Sequence, residues 1–296
     1  MILTTNNPSL LELQHLKVIS DTYAELPTEY TQLFYELDAP SKQVTVPHTG
    51  ALGQWKAGTE GGVLNSDEII EGFTATFNFQ SYDNSYDVSH EAKKWDQYGV
   101  IGTEPAEMAR GLHYLIESEA AAVLNEGFAT TTGFDGSYLF SNSHSLKQSS
   151  SVGDNLFTGA LSYSKIQEAE LLMNTGTLNE AGLRTFSRPS ALWCSINLHR
   201  EALEILASTN RAGEISNTKS SLPPLRVAPM SLVTTNYWGL KDDSLSNNNL
   251  WFMWFEHPAF DIEMVPGRWD VTKIKGYAAF QTGYADWRGI VGSTGA

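Results

Sequence analysis

Cysteine is nearly absent from this sequence, which has Cys194 alone. A single thiol excludes an intramolecular disulfide, and a thiolate zinc site needs more than one. Cys194 lies in the apolar run Ala191 to Ile196, which predicts a buried, inert thiol. Charge is also scarce, at 18% of residues, against about a quarter in ordinary soluble proteins. Positive charge is the scarcer sign: 19 Lys and Arg stand against 34 Asp and Glu, a formal balance of −15. A protein that grips nucleic acid by its phosphates needs a basic face, and no segment here has more than two adjacent Lys or Arg. Binding DNA directly is therefore not expected as a main task, while enclosing DNA without adhering to it stays open. No apolar run approaches a membrane span, and no basic stretch followed by an apolar one marks a signal peptide. The expectation is a protein made and used in cytoplasm, with no membrane partner.

Sites for chemistry are missing as well. There is no glycine-rich phosphate loop and no pair of histidines at helical metal-ligand spacing. His144 sits in the polar stretch Ser141-Asn142-Ser143 and reads as a solvated loop residue. Ser162-Tyr163-Ser164-Lys165 formally matches a Ser-x-x-Lys nucleophile motif, but the companion motifs are missing. Its residues are better explained as the start of a helix, and a hydrolase is the weakest reading considered. Glu117 with Glu119, and Asp242 with Asp243, read as solvated acidic faces. No catalytic, cofactor-binding or metal-binding residue is expected.

What the chain does have is hydrophobic residues at 41% and aromatics at 11%, ordinary for a folded protein. Its low charge suits a surface covered by copies of itself, since interface cores are depleted in charge. The opening reads as an arm: Ser9 to Glu12 is a capping box, and Leu10, Leu13 and Leu16 follow at near-helical spacing. From Tyr23 to Leu37 come aromatics with little obvious core of their own. Val44-Thr45-Val46 predicts a short strand ended by Pro47. A loop from His48 to Gly62 holds five glycines. Then Phe73, Ala75, Phe77 and Phe79 alternate with Thr74, Thr76, Asn78 and Gln80, the period of an amphipathic strand. Together these predict a long β-hairpin with an extended tip, or else an ordinary sheet. An isolated hairpin is marginal in water, so a partner surface is implied.

The strongest helix spans 103–127, opened by Thr103-Glu104-Pro105 and closed by Gly127. Ala109, Leu112, Ile116, Ala120 and Val123 mark its inner face, and about 23 residues make a rod of roughly 35 Å. A second helix is predicted from a capping box, Ser164 to Gln167, with Ile166, Ala169 and Met173 inward. A third has Leu198, Ala202, Ile205 and Leu206 apolar. Leu250 to Phe255 predicts a buried strand bounded by Asn247-Asn248-Asn249 and His257-Pro258. Val271 to Tyr277 and Ala278 to Tyr284 predict closing strands. Helices and strands stand in separate blocks, an α+β architecture.

This order of parts, an arm, a glycine-tipped hairpin, a lone long helix, a middle block and closing strands, resembles the major capsid proteins of tailed phages with the Hong Kong 97-type fold. The resemblance looks closest to the major head subunits of Mu-like phages. It is carried by Gly127-Phe128-Ala129, by Phe134 through Ser137-Tyr138-Leu139-Phe140 to His144, and by Tyr284-Ala285-Asp286-Trp287-Arg288-Gly289. The resemblance implies an N-terminal arm over 1–40 and an extended loop over 41–88. It implies a peripheral domain over 89–180 with the spine helix, an axial domain over 181–265, and return strands over 266–296. It implies a non-enzymatic subunit that assembles with itself, as hexamers and pentamers, into an icosahedral head around double-stranded DNA. A portal protein is an implied partner, and a decoration protein a further candidate; scaffolding is expected from a separate protein, because the arm begins almost at Met1. The place of action is the virion, after assembly in host cytoplasm. The nearest alternative is the related encapsulin shell. Trp55, Lys56, Phe73, Phe77 and Phe79 are the candidate contacts between subunits, with packing inside one chain an equal reading for the phenylalanines. Lys56 matches the loop from which one branch forms covalent crosslinks, but no partner asparagine or catalytic glutamate can be identified.

Overall fold

The computed structural model describes residues 8–67, 71–95, 103–131, 133–210, 219–244, 249–268 and 271–296. Two sheets organise the chain. The first has the order β1-β11-β12-β4, built from Tyr35–Asp38, Leu250–Met264, Thr272–Tyr284 and Gln80–Val88. β1 runs parallel to β11, and the other pairs are antiparallel. Against it lie α1 (Pro8–Glu25) and the long α3 (Glu104–Glu126). Ile116, Ala120 and Leu124 of α3 enter one core with Phe252, Trp254 and Phe280 of the sheet.

The second sheet has the order β7-β13-β10-β8-β9, from Leu156–Phe157, Ile290–Ser293, Trp238–Lys241, Ala191–Ser195 and Arg226–Met230. Its interior strand β8 is buried at every position, which explains why Ala191 to Ser195 reads as a nearly continuous apolar run. Helix α4 (Tyr163–Gly176) turns Ile166, Ala169 and Met173 onto this sheet, as their spacing predicts. Cys194 is buried here, with its thiol pushed up to about 12 by burial. The remaining elements are the pair β2 (Gln43–Thr49) and β3 (Glu71–Asn78), the short pair β5 (His144–Ser145) and β6 (Val152–Gly153), and the helices α2 (His90–Trp95) and α5 (His199–Ala207).

Several boundaries differ from the sequence expectation for identifiable reasons. Pro47 does not end β2. The strand continues to Thr49 through a register shift after Pro47, which is how a residue without an N–H fits a ladder. β11 likewise passes Pro258 and reaches Met264, with register shifts between Trp254 and Ala259. Asn247 and Asn248, expected to bound it, lie outside the described residues. The two closing strands are one, β12. Gly127 follows α3 with φ −63°, so it is not a left-handed cap. A side chain there would come within 2.9 Å of the Val123 carbonyl and 3.2 Å of Leu139, so close approach is what demands glycine. Helix α1 starts at Pro8, which puts Ser9 inside its first turn.

The expected parts interleave. Residues 1–7 of the arm lie outside the described residues, but Tyr30, Leu33 and Phe34 are buried in the chain's own core, and β1 extends its sheet. Gln80–Val88, expected in the extended loop, pairs with β12 in the first sheet. β11, from the expected axial block, joins that same sheet, while β13, expected among the return strands, enters the second.

Candidate assembly surface

β2 and β3 pair antiparallel from Gln43↔Asn78 to Thr49↔Glu71, forming the stem of the expected hairpin. Its root is tied to the body: the Ala51 N–H donates to Gln148 Oε1 at 2.9 Å, His48 stacks on Phe134 at 4.6 Å, and Lys147 Nζ lies 4.7 Å over the Phe73 ring. Beyond the root, residues 50–67 form no regular structure apart from one turn, in which Gly62 N–H donates to Thr59 O and Gly61 takes φ +74°. Trp55, Val63 and Leu64 of this tip are 95%, 97% and 92% exposed.

The five contact candidates therefore divide. Trp55 is open to solvent. Lys56 is exposed and pairs with Asp67 at 3.3 Å. Phe73 is half-buried. Phe77 and Phe79 are not free to anchor a neighbour in this conformation. They pack into a core with Met253 and Ala285, with ring contacts to Trp251 at 5.8 Å and Phe255 at 5.9 Å. The alternation in the sequence identified the buried face, and the face closes on the chain's own first sheet.

The two motif segments that carry the resemblance meet beside the hairpin root. Tyr284 OH donates to Ser137 O at 3.4 Å, and the His144 ring stacks on Trp287 at 4.1 Å, only 4° from parallel. His144, expected to be solvated, is fully buried. Its Nδ1 lies 2.6 Å from Asp135 Oδ2 and its Nε2 lies 3.1 Å from Asn155 Oδ1. The Asn155 orientation is fixed, because its Nδ2 donates to Leu139 O at 2.8 Å and Ile290 O at 3.2 Å. Nε2 then donates, and Nδ1 faces the Asp135 carboxyl group. Burial pushes the Asp135 carboxyl up, but the hydrogen bond and charge of His144 outweigh it and hold the group below its usual value. Arg288, next to Trp287, reaches Glu180 at 2.8 Å, Asp286 at 3.0 Å and Leu178 O at 2.6 Å. Every one of these polar groups is spent on holding loops together, the role expected of buried, fully bonded networks.

Two other expected solvated acids are buried. Glu117 accepts from the Glu29 N–H at 2.7 Å and the Tyr30 N–H at 3.1 Å, so the spine helix caps the turn that follows α1. Asp242 accepts from the Arg188 N–H and the Ser244 N–H, both at 2.8 Å. The Ser162-x-x-Lys165 motif is a helix cap: Ser162 Oγ accepts from the Lys165 N–H at 3.3 Å, while Lys165 Nζ pairs with Glu168 at 2.6 Å. The cap is Ser162, not the expected Ser164. A capping oxygen and an ion-paired ammonium do not make a nucleophile and its base. Among the described residues there is no cluster of three metal-ligating side chains, and no helix is long and apolar enough to cross a membrane.

A spine helix on a long, mostly antiparallel sheet, a second sheet beside it and a projecting hairpin define a class. The procapsid of bacteriophage JBD30 matches with a TM-score of 0.53 at 14% identity, over 99% of this chain and 76% of that one. The capsid of cyanophage P-SCSP1u matches with 0.61 at 11% identity, over 91% and 88%, and the mature capsid of bacteriophage PhiM1 with 0.59 at 10%, over 91% and 87%. The fold is the Hong Kong 97-type fold of tailed-phage shells. No curated protein matches the sequence. The family described as phage capsid protein matches residues 73–293, and the chain belongs to that family.

Proposed function

We propose that this chain is the major shell subunit of a tailed-phage head, and that its projecting hairpin tip is completed by a neighbouring copy. The single observation behind this is the tip itself, where Trp55, Val63 and Leu64 stand open on a stem that is firmly anchored. Exposed large apolar groups grouped together mark an interaction site, and a tryptophan is a favoured anchor. Extended segments turn chain length into interface, so each copy buries more than the roughly 1,600 Å² of a standard contact. The formal balance of −15 suits an inner wall from which packed DNA slides freely. The shell is built from hexamers and pentamers in the host cytoplasm and becomes the virion head. A portal protein fills one vertex, and scaffolding and decoration proteins are candidate helpers. Within the family we place the chain nearest the major head subunits of Mu-like phages, on the motifs around Phe134 to His144 and Tyr284 to Gly289.

Removing Gly50 to Gly62 tests the tip. Closed hollow particles from the full chain, seen by electron microscopy, should disappear in the deletion, while the subunit keeps its circular dichroism and melting transition. Unaltered particles from the deletion remove the role given to the tip. A full chain that stays monomeric under every assembly condition, with or without a scaffold, removes the shell reading itself. Double-stranded DNA inside natively isolated particles is the expected cargo; packaged enzyme instead points to a nanocompartment.

A further inference from the structure

Phe186 is 94% exposed, yet the loop that presents it is closed by its own main-chain hydrogen bonds. Leu178 and Arg184 form an antiparallel bridge, and the Asn179 N–H donates to Leu183 O at 2.8 Å, the Gly182 N–H to Asn179 O at 2.9 Å and the Thr185 N–H to Thr177 O at 3.0 Å. Gly182 takes φ +80°, which only glycine adopts without strain. Arg288 clamps the base through Leu178 O and Glu180, and Glu180 also accepts from the Lys147 N–H at 2.8 Å. A large aromatic ring held out on a pre-ordered turn costs little entropy to dock. Arg184 and Arg188 flank it, both exposed and neither ion-paired among the described residues. On a chain with 34 acidic and 19 basic residues, that is an unusual spot of positive charge.

The complement lies elsewhere on the same molecule. Between the first half of α3 and strands β4 and β12 runs a groove of about 360 Å³. Met108, Leu112, Leu115 and Phe260 line it, and exposed Asp83 stands at its edge. Gly111 leaves one wall open, since a side chain added there meets no atom within 4 Å. Several acids around this groove already have partners: Glu107 pairs with Arg110, Asp87 with Arg268 and Lys273, Asp261 and Glu263 with Lys275, and Glu119 bonds to the Tyr82 hydroxyl. Asp83 has no ion pair among the described residues. Gly276 lines the groove, and β12 runs eight residues on to Tyr284, four short of the Arg288 that holds the Phe186 loop. Phe186 is not among the residues that line the groove and is 94% exposed, so a subunit does not fill its own groove.

We propose that Phe186 of one copy seats in the spine-helix groove of the next, with Arg184 and Arg188 closing on that copy's Asp83. This rests on the shell reading above. A knob and a hole on different faces make a head-to-tail contact, which closes into a ring when the rotation permits.

Three measurements on the full chain test it. With p-benzoylphenylalanine at position 186, irradiated particles should give covalent dimers and larger species on a denaturing gel. Mass spectrometry should place the link in residues 81–84 or 108–115. Phe186→Ala should lower particle yield at least tenfold without moving the subunit's melting temperature. Asp83→Arg should lower yield as well, and the triple change Asp83→Arg with Arg184→Asp and Arg188→Asp should restore it. Normal particles whose crosslinks fall elsewhere, or a Phe186→Ala yield equal to the parent, overturn the contact and leave the shell reading standing. Failure of the unmodified chain to form particles at all overturns the shell reading instead.

Discussion

The stem and the tip of the hairpin handle aromatic side chains in opposite ways. In the stem, alternate residues Ala75, Phe77 and Phe79 are buried against the chain's own sheet. In the tip, Trp55 meets nothing from its own chain that covers it. Strand periodicity states which face is apolar, and it is silent on whose surface covers that face. An aperiodic, glycine-rich loop carrying a tryptophan has no such face to offer, and the structure leaves it open. Stem and tip should therefore fail differently: damage near the stem unfolds the subunit, while damage to the tip spares the subunit and stops its assembly.

The largest effect on folding is expected at the locus where the hairpin root rests. His144→Gln removes the ring bonded to buried Asp135 and leaves that carboxyl group without its partner, which costs about 3–5 kcal/mol. The double change His144→Gln with Asp135→Asn should recover a good part of that loss. Denaturant unfolding of the subunit measures both, and a single change that costs no more than the double one would show that the pair is not coupled. In the stem, Phe77→Ala should cost about 3–4 kcal/mol, because it opens a cavity beside Trp251 and Met253. If Phe77→Ala leaves folding intact and abolishes assembly, the stem is an interface too and the contrast collapses.

Acid should act through the same locus. The Asp135 carboxyl is held below its usual value, so its contribution is present above the ordinary carboxylate range, near pH 4, and is lost as pH falls through the lowered value. Glu117 has the opposite sign. Burial raises it against the backbone donors of Glu29 and Tyr30, so its contribution is present below the ordinary value and lost as pH rises through the raised one. Melting temperature followed from pH 7 to pH 3 should fall at the acid end, and the fall should shrink in the His144→Gln, Asp135→Asn double variant. Glu117→Gln keeps one acceptor oxygen but turns its NH2 toward the other N–H group, so it should cost neutral stability about 1–3 kcal/mol, the penalty of a buried donor left unpaired. An acid limb that is unchanged in the double variant would assign the acid sensitivity to other carboxylates.

Much of the fold was legible where periodicity or a cap announced it. The hairpin, the spine helix, the inward faces of α4 and the inert Cys194 follow from spacing and apolar context. The misses have physical causes. Pro47 and Pro258 looked like strand ends because they lack an N–H, yet both strands continue through register shifts there. His144 sits among serines, and two of its partners, Asn155 and Trp287, come from distant positions that no local pattern connects. Glu117 had a signal that went unused. It lies in phase with Ala120, Ala121 and Leu124 on the buried stripe of α3, and an acid on such a stripe must have donors. Those donors are backbone N–H groups, which leave no mark in a sequence. The Phe186 loop was invisible for the same reason, since its order comes from main-chain hydrogen bonds and from Arg288.

The smallest effect on the folded subunit is expected at the tip, and it is the most direct test of the contrast. Trp55 makes no packing contact that its removal would lose, so Trp55→Ala should change unfolding free energy by less than about 0.5 kcal/mol, the range of surface substitutions. In assembly the same change removes a large ring from a contact repeated in every copy of the shell. A truncation that costs 2 kcal/mol or more at one such site multiplies around a closed lattice, so particles should fail to form at concentrations where the parent assembles. Lys56→Ala sharpens the assignment, because its pairing with Asp67 is exposed and worth at most about 1 kcal/mol. That variant should melt like the parent and still assemble. Light scattering against concentration, beside thermal melts of the same samples, reads both quantities. A Trp55→Ala subunit that melts early would mean the tip packs on its own chain after all. One that melts normally and assembles normally would leave the tryptophan without the partner its exposure implies.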